Sequence, residues 1–180
     1  MKYLYNNDDL IKLDKQRFKL KTIYVIILVI SLIIVVGGII FRAFLPYNTQ
    51  LETVLEIIIM TVAILFTIFS FVYLSIPYAR VKDYYNFVYS ALNNERLIVK
   101  ATILEIRDND VTTKYGVDYY YIDVLEWSNS RNDYIKRSIM VDNEFRNLPI
   151  KKSSIIDIET MGNMLTAYEI LENNLWKDKK

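Results

Sequence analysis

The sequence predicts a membrane α + β protein: a two-helix transmembrane hairpin, an amphipathic linker helix, then a small five-stranded antiparallel β-barrel in the cytosol, OB-like or SH3-like. Three observations predict it. Two uncharged apolar runs of twenty residues lie within the first 76 positions, the pattern then turns amphipathic and helical, and from residue 95 it alternates between regularly spaced turn residues. The chain has 180 residues, a formal charge of +1 and 53% hydrophobic residues. That apolar share is high for a water-soluble domain.

The first run, residues 22–41, and the second, residues 57–76, each cover about 30 Å as a helix, the thickness of the hydrocarbon core. Neither has a polar face, so a buried soluble helix is the poorer reading. The first exceeds the length of a signal-peptide core and no small-x-small cleavage site follows it, so it is expected to stay attached. Lys2, Lys12, Lys15, Arg17, Lys19 and Lys21 precede it, only Arg42 lies between the runs, and Arg80 and Lys82 follow the second. The positive-inside rule therefore places both termini in the cytoplasm. The expected segments are a basic cytosolic N-terminal stretch (1–21), spans at 22–44 and 55–77, a short extracytoplasmic loop (45–54), a linker helix (78–94), the barrel (95–172) and a basic C-terminal tail (173–180). The address is a bacterial inner or plasma membrane, crossed twice, with the lipid bilayer as a partner. Abundant Ile, Asn, Lys and Tyr fit an A/T-rich bacterial genome.

Gly37 and Gly38 in the first span, and Ala63 and Thr67 in the second, are the candidates for close helix packing, with Ser31 and Ser70 as further small groups. Packing within the hairpin is their ordinary role and self-association their functional one. Glu52 and Glu56 share a helix face at the outer end of the second span, a place for solvated anchoring more than for ion transfer.

After Pro77, Val81, Tyr85, Val88 and Leu92 recur at helical spacing with Tyr84 alongside, and Asn93 and Asn94 close the helix. Strands follow at 96–106, 117–127, 134–141, 155–160 and 164–170. Asp108, Asn109 and Asp110 are read as a turn after the first, and Gly162 with Asn163 as a tight hairpin before the last. The segment 142–149 interrupts the strands as one helical turn started by Asp142 and stopped by Pro149. Alternation assigns Leu97, Val99, Ala101 and Ile103 to the core of the first strand, with Lys100 and Thr102 opposite. In the fourth, Ile156 and Ile158 face in against Asp157 and Glu159. In the second strand Tyr120, Ile122 and Val124 face in, which leaves Tyr119, Tyr121, Leu125 and Trp127 facing out beside Asp123. Such a row marks a partner or ligand surface unless the linker helix, the C-terminal tail with Trp176 or the membrane interface covers it.

Much chemistry is excluded. The chain contains no histidine and no cysteine, which removes Ser-His-Asp and Cys-His nucleophile systems, disulfides, and imidazole or thiolate metal sites. No phosphate loop, GxGxxG, GxSxG or calcium-loop frame is present. Residues 79–180 carry 15 basic against 16 acidic residues, which is unsuited to phosphate neutralisation and argues against a nucleic-acid partner. The expectation is a non-enzyme without cofactor or metal, whose barrel is a binding or assembly module for a protein partner, or self-associates, in a membrane complex. The alternative is a membrane effector or immunity protein of a bacterial conflict system. The two-span, β-rich plan resembles membrane effectors that answer nucleotide signals in antiphage defence; this likeness is architectural and carries over no ligand site. A third reading has the basic N-terminal segment sensing leaflet charge.

Overall fold

The computed structural model describes residues 1–46, 49–93 and 98–172. Leu97, Asn94, Trp176 and the basic tail at 173–180, all named above, lie outside the described residues. The chain forms two compact units, one of residues 12–83 and one that joins Met1–Ile11 to the chain from Tyr84.

Two helices are long and apolar enough to cross a membrane. Helix α1 spans Asn7–Arg42 and begins well before the apolar run. Its start is set by a reciprocal cap, in which Asn6 N donates to Asp9 Oδ2 at 2.9 Å and Asp9 N to Asn6 Oδ1 at 3.0 Å. Helix α2 spans Gln50–Tyr73, with Thr49 accepting from Glu52 N as its N-cap. A π-helical turn, Leu74–Tyr78, absorbs the missing donor of Pro77, and α3 continues over Ala79–Asn93.

Within the 12–83 unit, rings join α1 to α2. Tyr24 stacks near Phe66 and Tyr73 with centroids 6.2 Å away in each case, and Tyr73 Oη donates to Leu20 O at 3.1 Å. The small residues divide. A Cβ on Gly38 would meet Ile59 side-chain atoms at 2.8 and 2.9 Å, so this glycine permits close approach; Gly37 has nothing within 4 Å. Thr67 Oγ1 donates back to Ala63 O at 2.8 Å. Both residues, with Phe66, line a groove of about 230 Å³ whose other wall is Leu28, Ser31, Leu32 and Val35 of α1. At the far end of the hairpin Arg42 pairs with both Glu52 and Glu56, so the two carboxylates are held by a cation on the facing helix.

The second unit is a closed five-stranded barrel with a short additional strand. β1 is Lys2–Tyr3, β2 Ile98–Lys114, β3 Val117–Ser128, β4 Asp133–Asp142, β5 Ile155–Met161 and β6 Met164–Glu172. β2 pairs with β3, β3 with β4, β4 with β6, β6 with β5 and β5 with β2, which closes the ring. Three expectations are corrected. The barrel is mixed, since β4 and β6 run parallel where closure brings them together at Met140 and Met164. Asp108, Asn109 and Asp110 do not end a strand: β2 runs on to Lys114, and the pairing slips between Arg107 and Thr112 to absorb them as an irregularity. The N-terminal stretch is not merely a basic segment, because β1 pairs with β6.

The actual turn after β2 is Tyr115 and Gly116, both with positive φ, as a two-residue hairpin requires. Asp142 caps the single helical turn Asn143–Phe145 by accepting from Glu144 N, as its sequence predicts. Inside lie Ala101, Ile103, Ile122, Val124, Ile139, Val141, Ile156 and Ile158, all buried. Arg137 also lies on this inner face, opposite Val124. It donates to Glu126 Oε1 at 3.0 Å, to Thr160 Oγ1 at 2.5 Å and to Gly162 O at 3.3 Å, tying β4 to the β5–β6 turn beside the one-pair parallel closure. Glu159, expected to face water, is buried and accepts from Thr166 Oγ1 at 3.2 Å.

The two glycines of α1 should respond differently to enlargement. Gly38→Val overpacks against Ile59, a change that costs about 1–3 kcal/mol in tight interiors; Gly37→Val meets open space. The thermal midpoint of the full chain in detergent should fall for Gly38→Val and stay near that of the unchanged chain for Gly37→Val.

Candidate functional site

The outward side of β3 and β4 carries the row predicted from alternation. Counting from the Ser128–Asn132 turn, the pairing sets Trp127 opposite Tyr134, Leu125 opposite Lys136, Asp123 opposite Ser138, Tyr121 opposite Met140 and Tyr119 opposite Asp142. These five pairs share one face. The face is not uniform, and its three zones have different physical causes.

One end is covered. Tyr119 is fully buried, which corrects its place in an exposed docking row. The covering elements come from both sides of the apolar helices: Leu4 and Tyr5 of the N-terminal segment, and Phe87, Val88 and Ala91 of α3, are all buried. Phe87 and Ala91 were not in the helical stripe read from sequence. The Tyr5 ring meets Tyr84, Phe87 and Phe145 edge-on, with centroids 6.5, 5.5 and 5.7 Å away. Tyr84 Oη donates to Asp142 Oδ2 at 2.7 Å. Burial first, and then the negative charge of Asp142, raises the phenols of Tyr5 and Tyr119 well above the ordinary tyrosine range. For Tyr84 burial again leads, followed by Tyr5 and the bond to Asp142.

The middle zone is charged and locked. Asp123 is buried, not exposed as alternation implied. Its Oδ1 accepts from Arg107 Nη2 at 3.0 Å and from Ser138 Oγ at 2.7 Å, and its Oδ2 pairs with Lys136 Nζ at 2.8 Å. Arg107 also reaches Asp110 Oδ2 at 2.7 Å and sits 5.1 Å over the Tyr121 ring, so Tyr121 is half-buried beneath a guanidinium. The hydrogen bonds from Lys136 and Ser138, assisted by the Arg107 charge, hold the Asp123 carboxyl down to about 2 against the opposing effect of burial. A carboxylate so held stays ionised and shielded at neutral pH, which suits it to positioning Arg107 and Lys136 and not to proton transfer.

The far end is open. Trp127 and Tyr134 are 42% and 62% exposed, and their rings meet edge-on with centroids 5.1 Å apart. Leu125 is half-buried beside them. Of the four residues read from sequence, Trp127 and Leu125 therefore remain at an accessible apolar surface, Tyr121 lies under Arg107, and Tyr119 belongs to the covered end. Tyr134 was missed, although its seven-residue separation from Trp127 across a polar turn was the available signal. Arg107, Lys136 and Ser138 were missed because their role depends on register, not on local pattern. Among the described residues, no group of three or more acidic side chains is placed to hold a metal ion.

No family model, curated protein or solved structure matches this chain.

Two pH dependences follow. The Asp123 carboxyl is lowered from its ordinary 3.8 to about 2, so its contribution is complete above pH 4 and is lost as pH falls through 2. The full chain in detergent should lose thermal stability over that window, and Asp123→Asn should be less stable at pH 7 but flatter below pH 4. The raised phenols of Tyr5, Tyr84 and Tyr119 have the opposite sign: their contribution is complete below pH 10 and lost above it. Phenolate absorbance should show them ionising only as the barrel unfolds.

Proposed function

We propose that the chain is a membrane-anchored docking module, in which the open end of the β3–β4 face binds a protein partner in the cytosol. The observation that carries this reading is the exposed, mutually oriented Trp127–Tyr134 pair. Aromatic side chains that stay rigid and solvent-facing supply contact area at low entropic cost, and they are enriched at protein interfaces. Its base is fixed as well, because the Asp123 network pins the strands on which the pair stands.

Strand order supports an OB-like barrel: β2-β3-β4-β6-β5, closed, with a short helical turn between β4 and β5. Barrels of this kind bind ligands on the face of their second and third strands, here β3 and β4. The near-neutral charge from residue 79 onward favours a protein over a nucleic acid. Pairing of β1 with β6 favours an N-terminus on the same side as the barrel, and therefore two crossings by the intervening helices. The lysines before the first span favour the cytoplasm as that side.

Affinity purification of the full chain from its native membrane should recover a partner that Trp127→Ser combined with Tyr134→Ser loses by tenfold or more. Unchanged recovery overturns the docking face. Growth arrest or membrane depolarisation on induced expression would point instead to the effector reading. Topology is testable on the cysteine-free background: a cysteine replacing Asn48 should react with an impermeant maleimide on intact cells, and one replacing Asn163 should not.

A further inference from the structure

The barrel has a seam. One edge of β6 pairs with β5 along its length, from Ile155 opposite Glu172 to Met161 opposite Met164. The other edge meets β4 at one residue pair, Met140 opposite Met164, with Met140 N donating to Asn163 O at 2.7 Å. Beyond that point the edge is taken by the N-terminal strand: Lys2 pairs with Tyr168, Tyr3 with Ala167, and Leu4 N donates to Thr166 O at 2.9 Å. The side chains that follow are anchors. Leu4 and Tyr5 are 5% and 4% exposed, and Tyr5 is boxed by Tyr84, Phe87 and Phe145.

We propose that this stretch of β6 is a strand-addition site whose occupant can be the N-terminal strand of a second copy, so that two barrels are joined by exchanging residues 1–5. The occupant follows from the fit. A two-residue strand holds by few main-chain bonds, so specificity resides in the Leu4 and Tyr5 pockets, and the segment already shown to fill them is carried by every copy. Exchange of an identical element conserves each buried contact and so costs little beyond association. The pivot is built in. Asn6 and Asp9 cap α1 reciprocally, so the helix start remains satisfied whichever barrel receives the strand. Tyr119 Oη beneath the anchors is buried without a hydrogen-bond partner among the described residues, so the packing under the strand is not fully satisfied, and release of the strand gives that hydroxyl access to water.

The inference concerns β6, and it stands or falls apart from the Trp127–Tyr134 face. Tyr3 and Ala167 lie between the hydrogen-bonded positions of the ladder, where opposed Cα atoms are close enough for a disulfide. Full-length chains carrying both Tyr3→Cys and Ala167→Cys should cross-link under mild oxidation in the membrane. Two differently tagged full-length chains, one Tyr3→Cys and the other Ala167→Cys, should then be co-expressed. A disulfide-linked dimer containing both tags is expected, and it should be absent when the second chain carries Asp157→Cys instead. If the double variant closes only on itself and the mixed pair gives no dimer, exchange is overturned. An equal yield with Asp157→Cys reads collision and also overturns it. If neither combination cross-links, the β1–β6 pairing itself is wrong and the proposal falls with it.

Discussion

The pairing of Lys2 and Tyr3 with Ala167 and Tyr168 is the constraint on which the rest of the molecule depends. It makes the barrel a structure built from residues on either side of two long apolar helices. The same stretch of chain supplies both the last piece of the sheet and the first turn of α1, with Asn6 between them.

Charge inside and against the barrel acts as a register device. Asp123, Glu126 and Glu159 are buried and each is met by a group on a neighbouring strand, Lys136 with Ser138, Arg137, and Thr166, while the buried Asp142 is met by Tyr84 of α3. A slip of one residue between β3 and β4 would either turn Asp123 into the apolar interior or carry Arg137 outward, and in both cases a carboxylate loses its cation. Removing one partner from such a pair costs about 3–5 kcal/mol, whereas the intact pair itself adds little net stability. The value of these groups therefore lies in excluding wrong pairings, a matter of weight in a ring sealed by a single parallel rung between β4 and β6.

The outward face of β3 and β4 illustrates how one alternating strand can be divided among three fates. Its rungs from Tyr119 to Trp127 all point the same way, yet burial falls from complete at Tyr119 to 42% exposure at Trp127. The differences are set by what lies above each rung: the rings of Tyr5 and Phe87 at one end, the guanidinium of Arg107 in the middle, and the Tyr134 ring at the other end.

Hydropathy and alternation are local properties, and what they govern was legible. Uncharged runs of twenty residues identify the two long helices without reference to any partner. Polar turns bracket β3 and β4, and period-two spacing selects Tyr120, Ile122 and Val124 for the interior. The capping role of Asp142 is likewise written within three residues. Closure is not local. That β4 meets β6 in parallel and that the first residues form a strand of the barrel depend on pairings between segments tens to more than a hundred residues apart, and that Asp108, Asn109 and Asp110 are carried inside β2 depends on an irregular register with β3 that no residue type announces. The candidate site divides along the same line: alternation places Tyr119, Tyr121, Leu125 and Trp127 on one face, but only the tertiary structure decides which are covered, because the covering groups come from distant chain whose position no local period encodes.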